Sequence, residues 1–377
     1  MNKPNKWEIN VGELATGQAL TIPVYQFTPE NPSGPSVYIQ ANVHGAEVQG
    51  NAVIFELMKQ LENTHLNSVV TLVPLANPMG INQKSGEFTL GRFDPITGIN
   101  WNREYYDHNF DIEYWYTKNQ SHNDSDLFSA FRQTLLSSCQ QRLQNPWGIS
   151  TGQRLATELQ ILGHQADIVF DLHTGPKSCK HMYCPEYAID AAQYFSIPYV
   201  LVMPNDFAGA MDEAMFCPWW KLSELAETQG RQLDVAVNAF TLELASQERI
   251  DMNDAKIDAN GILAYLSHKG VITEKVTPVK MDRYACQLEN YKKFYAPTAG
   301  MIEYLAPLGE KLSVDQPLLS LLRMDQYGTK DEYQHISLDI ECIPILHFAS
   351  AAVHQGTELY KVMTDVFLLE HYPPLKK

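Results

Sequence analysis

The spacing of apolar residues changes period several times along the chain, and each change marks an element. Trp7-Glu-Ile-Asn-Val and Ala19-Leu-Thr-Ile-Pro-Val-Tyr25 predict short strands, and Asn31-Pro-Ser-Gly-Pro35 is a strong breaker after them. Ser36–Val43 is β-prone and bounded by turn residues. After His44-Gly45, the positions Val48, Ala52, Ile54, Phe55, Met58 and Leu61 fit one face of a helix. Val69–Leu75 predicts a further strand that ends at Asn77-Pro78, and residues 79–128 read as loop. Helical spacing resumes around Leu127–Leu136 and Arg154–Leu162. Ala166-Asp-Ile-Val-Phe-Asp-Leu172 is almost continuously apolar, as a strand covered on both faces must be; Ile197–Met203 and Ala236–Leu242 are similar. A helical stretch ends near Lys275.

Strands alternating with helices predict an α/β fold with a mixed, largely parallel sheet flanked by helices. Helical periods vanish from about residue 290. The pairs Leu312/Leu318 and Val353/Leu359 repeat one spacing across turn-like residues, so the tail reads as a small β domain with two similar halves. The predicted boundaries are residues 1–289 and 290–377. A chain of 377 residues fits two domains better than one core.

Hydrophobic residues make up 45% and charged residues 19%, which excludes disorder. A net charge of −16 repels phosphate backbones, so no nucleic-acid partner is expected. The first residues lack the apolar run of a signal peptide and no stretch is long and apolar enough to span a bilayer, so no membrane partner is expected and the cytoplasm is the expected location. The spacing of the six cysteines suggests no disulfide framework. Cys179-Lys-His181-Met-Tyr-Cys184 has no second half with metal-finger spacing and is read as chance.

His44-Gly-Ala-Glu47 falls where a predicted strand hands over to a helix. His173, in Asp171-Leu-His-Thr-Gly175, and Glu243, in Thr241-Leu-Glu-Leu-Ala245, end two other strands. Sites in open α/β sheets form outside the carboxyl ends of strands, so the three positions can converge. Two His and one Glu are a familiar ligand set for one catalytic Zn²⁺ that leaves a position for water or substrate. Bound zinc brings the pKa of its water to roughly 7, and a separate carboxylate such as Glu243 can take the proton.

Two other readings compete. Gly148-Ile-Ser150-Thr-Gly152 matches the nucleophile pattern of serine hydrolases, but a polar run ending in Pro146 precedes it instead of a strand, so Ser150 is expected to cap a helix. Alternatively the chain is a non-catalytic carrier or binding module with a vestigial metal site. Val279-Lys280-Met281 faintly suggests an attachment lysine, but it precedes the β tail.

The ordered set of segments resembles the succinylglutamate desuccinylase/aspartoacylase family, a branch of the zinc carboxypeptidase-like hydrolases. The matching segments are Ile9–Val24, Gly34-Pro35, Val43–Glu47, Asn77-Pro78, Asn102-Arg103, Asp171–His173 and Thr241–Glu243. The tail from Tyr295-Ala-Pro-Thr-Ala-Gly300 resembles that family's small lipoyl-type β sandwich. The resemblance implies zinc on His44, Glu47 and His173, with Glu243 as general base and proton shuttle. It also implies that Asn102 and Arg103 bind a substrate carboxylate, as a guanidinium fork and an amide donor can, and that Arg92 polarises the scissile carbonyl. The expected activity is hydrolysis of an amide or ester bond in a small anionic N-acylated amino acid, by a chain that can form a homo-oligomer. Two departures stand out. Asn100 replaces the family's aspartate, whose part is to orient a zinc-bound histidine, and Ala245 replaces a glycine. Region 104–165 looks inserted, with the capacity to reshape the pocket.

Overall fold

The computed structural model describes residues 2–108 and 110–372. The chain begins with β1 (Asn5–Glu13), β2 (Ala19–Phe27), β3 (Val37–Ala41), α1 (Gln49–Leu61), β4 (Val70–Val73) and α2 (Pro78–Asn82), followed by a small hairpin of β5 (Lys84–Ser85) and β6 (Phe88–Thr89). Three helices come next: α3 (Ile112–Asn119), α4 (Asp124–Leu143) and α5 (Thr151–His164). Then come β7 (Ile168–Gly175), β8 (Lys177–Ser178), β9 (His181–Pro185), β10 (Tyr199–Met203), α6 (Met211–Thr228), β11 (Asn238–Ser246), α7 (Met252–His268) and β12 (Tyr284–Gln287).

The large sheet has the order β1-β2-β4-β3-β7-β11-β9-β10-β12-β20, where β20 (Phe367–Leu368) comes from the far end of the chain. Its centre, β4-β3-β7-β11, is parallel; β9 runs antiparallel to β11. Side chains alternate across the sheet. Phe170, Leu172, Phe240 and Leu242 join the core under α1 and α7, while Val169 and Ala239 join the core under α5 and α6. Asp171 and His173 share the parity of Val169, and Thr241 and Glu243 that of Ala239, so these polar residues lie on one face at neighbouring strand ends. The parallel pairing sets Glu243 beside His173 and, through β9, beside His181.

The tail contains β13 (Tyr291–Tyr295), β14 (Gly300–Tyr304), β15 (Pro317–Leu322), β16 (Tyr333–Ser337), β17 (Ile343–His347), β18 (Ala352–Val353) and β19 (Glu358–Met363). They form two four-stranded sheets, β13-β19-β17-β8 and β16-β15-β14-β18. Leu312, Leu318, Val353 and Leu359, the repeated pairs of the tail, all lie in the core of this unit. A cut at 289/290 falls between β12 and β13, yet the two units exchange strands: β8 pairs with β17, and β20 pairs with β12.

Two features of the larger unit depart from the sequence pattern. The stretch 79–128 holds α2, the small hairpin, α3 and the start of α4, whose polar faces hide the helical period. Helix α6 has buried residues on most of its sides and Pro218 inside, so no amphipathic stripe announces it. His181–Cys184 is part of a central strand, not a metal loop, and its residues alternate between faces. None of the six cysteines is disulfide-bonded. Ser150 is the N-cap of α5: its Oγ accepts from Gln153 N–H at 3.0 Å, and Gln153 Oε1 accepts from Ser150 N–H. The strand required before a nucleophilic serine is not there, which corrects the serine-hydrolase alternative. Lys280 lies exposed in the segment before β12, not on a hairpin tip.

Candidate metal and catalytic site

The chain reverses sharply after β3. Asn42 adopts a positive φ of 69°, and its side-chain amide donates to the carbonyls of His44 (3.1 Å) and Gly45 (3.2 Å). A Cβ on Gly45 would lie 2.0 Å from the Gly80 carbonyl oxygen, so only glycine lets this backbone reach the α2 segment. The turn delivers His44 and Glu47 to the end of β7, beside His173.

The carboxylate of Glu47 stands between the two imidazoles. Its Oε1 is 2.8 Å from His44 Nδ1 and its Oε2 is 2.9 Å from His173 Nδ1. Glu47 also accepts from Thr174 N–H (3.0 Å) and from Arg92 Nη1 (3.1 Å). All three residues are buried, with ligand atoms within 4.8 Å of one another. The far ring nitrogens are occupied: His44 Nε2 faces Asn100 Oδ1 at 2.8 Å, and His173 Nε2 faces Asp171 Oδ2 at 2.7 Å. Both partners are acceptors, which assigns the ring proton to each Nε2 and leaves each Nδ1 lone pair aimed at Glu47. Two lone pairs facing two carboxylate oxygens repel unless a proton or a cation lies among them. The donor set, its burial and the fixed tautomers therefore fit a divalent metal.

Electrostatics show a demand for positive charge around Glu47, which a proton or a cation can meet. Burial acts to raise the Glu47 carboxyl, but the two imidazoles outweigh it and hold it well below the usual carboxylate range. Burial acts to lower His173, but Asp171 and Glu47 outweigh it and raise it well above an ordinary histidine. Burial keeps His44 below its usual value.

Asn100 stands against a site histidine, and its Oδ1 also accepts from Asn102 N–H at 2.8 Å. One amide oxygen thus ties His44 to the Trp101–Arg103 turn. Asn102 is buried beside His173, with its Oδ1 accepting from Met211 N–H at 3.3 Å. Arg103 is exposed, its guanidinium folded onto the Asn102 carbonyl. Arg92 is half-exposed and bonds Glu47.

Glu243 Oε2 is shielded from solvent and has no hydrogen-bond partner among the described residues. Burial, then the Glu47 charge, pushes its carboxyl up to about 7. Ala245, at the replaced glycine, has a φ of 77° beside a break in the β11 register. A Cβ in the left-handed region costs roughly 1–2 kcal/mol, partly offset by the unfolded-state freedom of glycine. Ala245→Gly is therefore expected to stabilise the protein by about 0.5–1 kcal/mol, read as a higher denaturant midpoint at unchanged m.

Sequence reasoning missed Asp171, although an Asp-x-His spacing on a strand puts both side chains on one face. Asp171 is fully buried and also accepts from Gln40 Nε2 at 2.9 Å; Tyr38 donates to Gln40 Oε1 at 2.9 Å. It also missed His181, Tyr183, Tyr291 and Lys361, which gather around Glu243. The His181 ring lies 5.8 Å from Tyr183 and 6.0 Å from Tyr291. Lys361 Nζ lies 5.6 Å from the centre of the Tyr291 ring. His181 Nε2 and Tyr291 Oη are buried without partners among the described residues. Burial lowers the Lys361 ammonium, whose charge favours ionised Glu243. No local signal in the sequence links these residues; the β8–β17 pairing brings them together.

A His-Glu-His cluster at the strand ends of a mixed α/β sheet defines the class as an α/β protein with a candidate metal site at its strand ends. The catalytic-domain model of succinylglutamate desuccinylase/aspartoacylase matches residues 33–269, and the chain belongs to that family, one of deacylating hydrolases. A family protein of Shewanella frigidimarina NCIMB 400 is 65% identical over 98% of this chain and 100% of its own, with a TM-score of 0.96. One from Shewanella amazonensis SB2B is 64% identical over 97% and 100%, with a TM-score of 0.95. A succinylglutamate desuccinylase/aspartoacylase of Rhodobacter sphaeroides shares the fold at 19% identity, covering 97% of this chain and 96% of its own, with a TM-score of 0.69. No curated protein sequence matches the chain. Among the described residues, no helix is long and apolar enough to cross a membrane.

Proposed function

We propose that the chain is a zinc-dependent deacylase that hydrolyses the amide, or ester, bond of a small N-acylated amino acid or related carboxylate-bearing substrate. The observation that carries this reading is the convergence of His44 Nδ1, His173 Nδ1 and both Glu47 oxygens beside Glu243, whose buried Oε2 has no hydrogen-bond partner among the described residues. His44, Glu47 and His173 would hold the metal, which supplies Lewis acidity and acidifies water. Glu243 accepts the proton of the attacking water as its oxygen bonds the acyl carbon. When the carbon–nitrogen bond breaks, Glu243 returns that proton to the leaving amine. A carboxyl held near neutrality suits both transfers. Asn102 and the exposed Arg103 guanidinium bind the substrate carboxylate and fix the scissile bond.

Metal content of the purified protein, combined with a screen of N-acyl amino acids before and after chelation, tests the reading. Turnover that survives complete metal removal would contradict it. Arg103→Ala is expected to raise KM and lower kcat/KM by about 10–100-fold, the loss of a charge-assisted contact of roughly 1.5–3 kcal/mol. Steady-state kinetics at constant metal occupancy checks this, and unchanged KM and kcat would remove Arg103 from the site.

A further inference from the structure

A chain of buried polar groups runs back from His173, and the proposed reaction leaves most of it without a role. The parallel register sets Gln40 of β3 beside Asp171 of β7. Gln40 Nε2 donates to Asp171 Oδ1 at 2.9 Å and to Tyr105 Oη at 3.0 Å. Gln40 Oε1 accepts from Tyr38 Oη at 2.9 Å. Tyr38, Gln40 and Asp171 are sealed from solvent, and Tyr105, on the segment that leaves the Asn102-Arg103 turn, is buried as well.

Both hydrogens and the oxygen of the Gln40 amide meet a partner. Turned over, the amide would set its oxygen against the Asp171 carboxylate, so the network fixes its orientation. Asp171 in turn has one oxygen on Gln40 and the other on His173 Nε2. The Gln40 contact matters because the terminal torsion of an aspartate is broad and two-fold. Held at one oxygen, the carboxylate can rock about its Cβ–Cγ bond. Held at both, it keeps one plane and fixes the ring of His173. Asn100 does the same for His44 while accepting from Asn102 N–H. The two histidines are therefore tied to opposite ends of one short segment, residues 100–105, which carries Asn102 and Arg103.

We propose that Gln40 is a positioning residue of the metal centre: by gripping Asp171 Oδ1 it orients the His173 imidazole, and through Tyr105 it links that histidine to the segment bearing Arg103. This rests on the reading of His44, Glu47 and His173 as metal ligands. Gln40 acts on the ion only through Asp171. An apolar side chain of the same length would fill its volume but leave Asp171 Oδ1 and the Tyr38 hydroxyl without these hydrogen bonds. The His173 lone pair would then be aimed less well at an ion, and partners of this kind, behind the ligands, set metal affinity.

The test uses the full-length protein, stripped of metal and titrated with Zn²⁺ against a chromogenic chelator, the triad equivalent being the one that Glu47→Gln loses. Gln40→Met is expected to weaken that equivalent by about tenfold. In an Asp171→Ala background the same substitution should change affinity by less than about threefold, because the route to His173 is already gone. The visible bands of the Co²⁺-loaded protein should shift in Gln40→Met, since ring orientation sets the ligand field and a change in global stability alone does not. Tyr38→Phe removes only the hydroxyl bonded to Gln40 and should weaken Zn²⁺ by about threefold, which keeps the test valid if Gln40→Met disturbs folding. Unchanged affinity in folded Gln40→Met or, failing that, in Tyr38→Phe would overturn the proposal. So would an equal loss in the wild-type and Asp171→Ala backgrounds, or an unchanged Co²⁺ spectrum. A wild-type protein with no Zn²⁺ equivalent would instead refute the metal reading, and this inference with it.

Discussion

Glu243→Gln is expected to retain the metal and the fold while losing about 10²–10⁴-fold in kcat, the usual contribution of a positioned general acid–base group. The amide matches the carboxylate in shape but cannot accept a proton from water. Glu243 Oε2 has no hydrogen-bond partner among the described residues, so the change breaks no bond to them at that atom. Replacing a buried charge next to Glu47 with a neutral group should leave stability equal or higher, because ionised Glu243 and Glu47 repel. The pH profile supplies a second reading. Only the carboxylate accepts the proton, so wild-type kcat/KM falls as the pH drops through the Glu243 titration. Burial and Glu47 raise that titration to about 7, and a cation on the triad moves it lower. The variant should lack this acidic limb. Full activity with an unchanged profile would remove Glu243 from the reaction.

Glu47→Gln is expected to abolish turnover together with metal retention at the triad. The carboxylate presents one oxygen to each imidazole, 2.8 and 2.9 Å away, and supplies the negative charge that a divalent ion requires. Gln keeps the volume, but its NH₂ faces one Nδ1 as a donor and blocks the place of an ion. Stability should separate the two proteins as well. A ligand present at a thousandfold its Kd stabilises the folded state by about 4 kcal/mol, so chelation should lower the wild-type Tm by several degrees. The variant should show no chelator-dependent shift from this site. A variant that holds metal at the triad and turns over normally would refute the assignment.

Much of this site can be read from local sequence because its parts are short-range. The His44–Glu47 turn comes after a strand and opens a helix, and the parity of Asp171, His173 and Glu243 is set by strand periodicity. Ser150 and Gln153 form a capping pair within one turn. Elements whose signals are local but muted were harder to read. The amphipathic period of α6 is lost because the helix is buried on most sides, and α3 sits in a polar run.

By itself, then, the sequence determined the strand-end placement of His44, Glu47, His173 and Glu243, and the alternation of strands and helices that makes a mixed α/β sheet. Tertiary structure alone decided which atoms meet. It set the acceptors Asn100 and Asp171 against the far ring nitrogens, so that both Nδ1 atoms face Glu47. It carried Tyr291 and Lys361 from the tail to Glu243, and it joined Tyr105 through Gln40 to Asp171. Periodicity fixes the face a residue occupies on its own element, because backbone geometry repeats every 2 or 3.6 residues. Meetings across tens or hundreds of residues depend on how whole faces pack, as when β8 pairs with β17, and no short window of sequence contains that information.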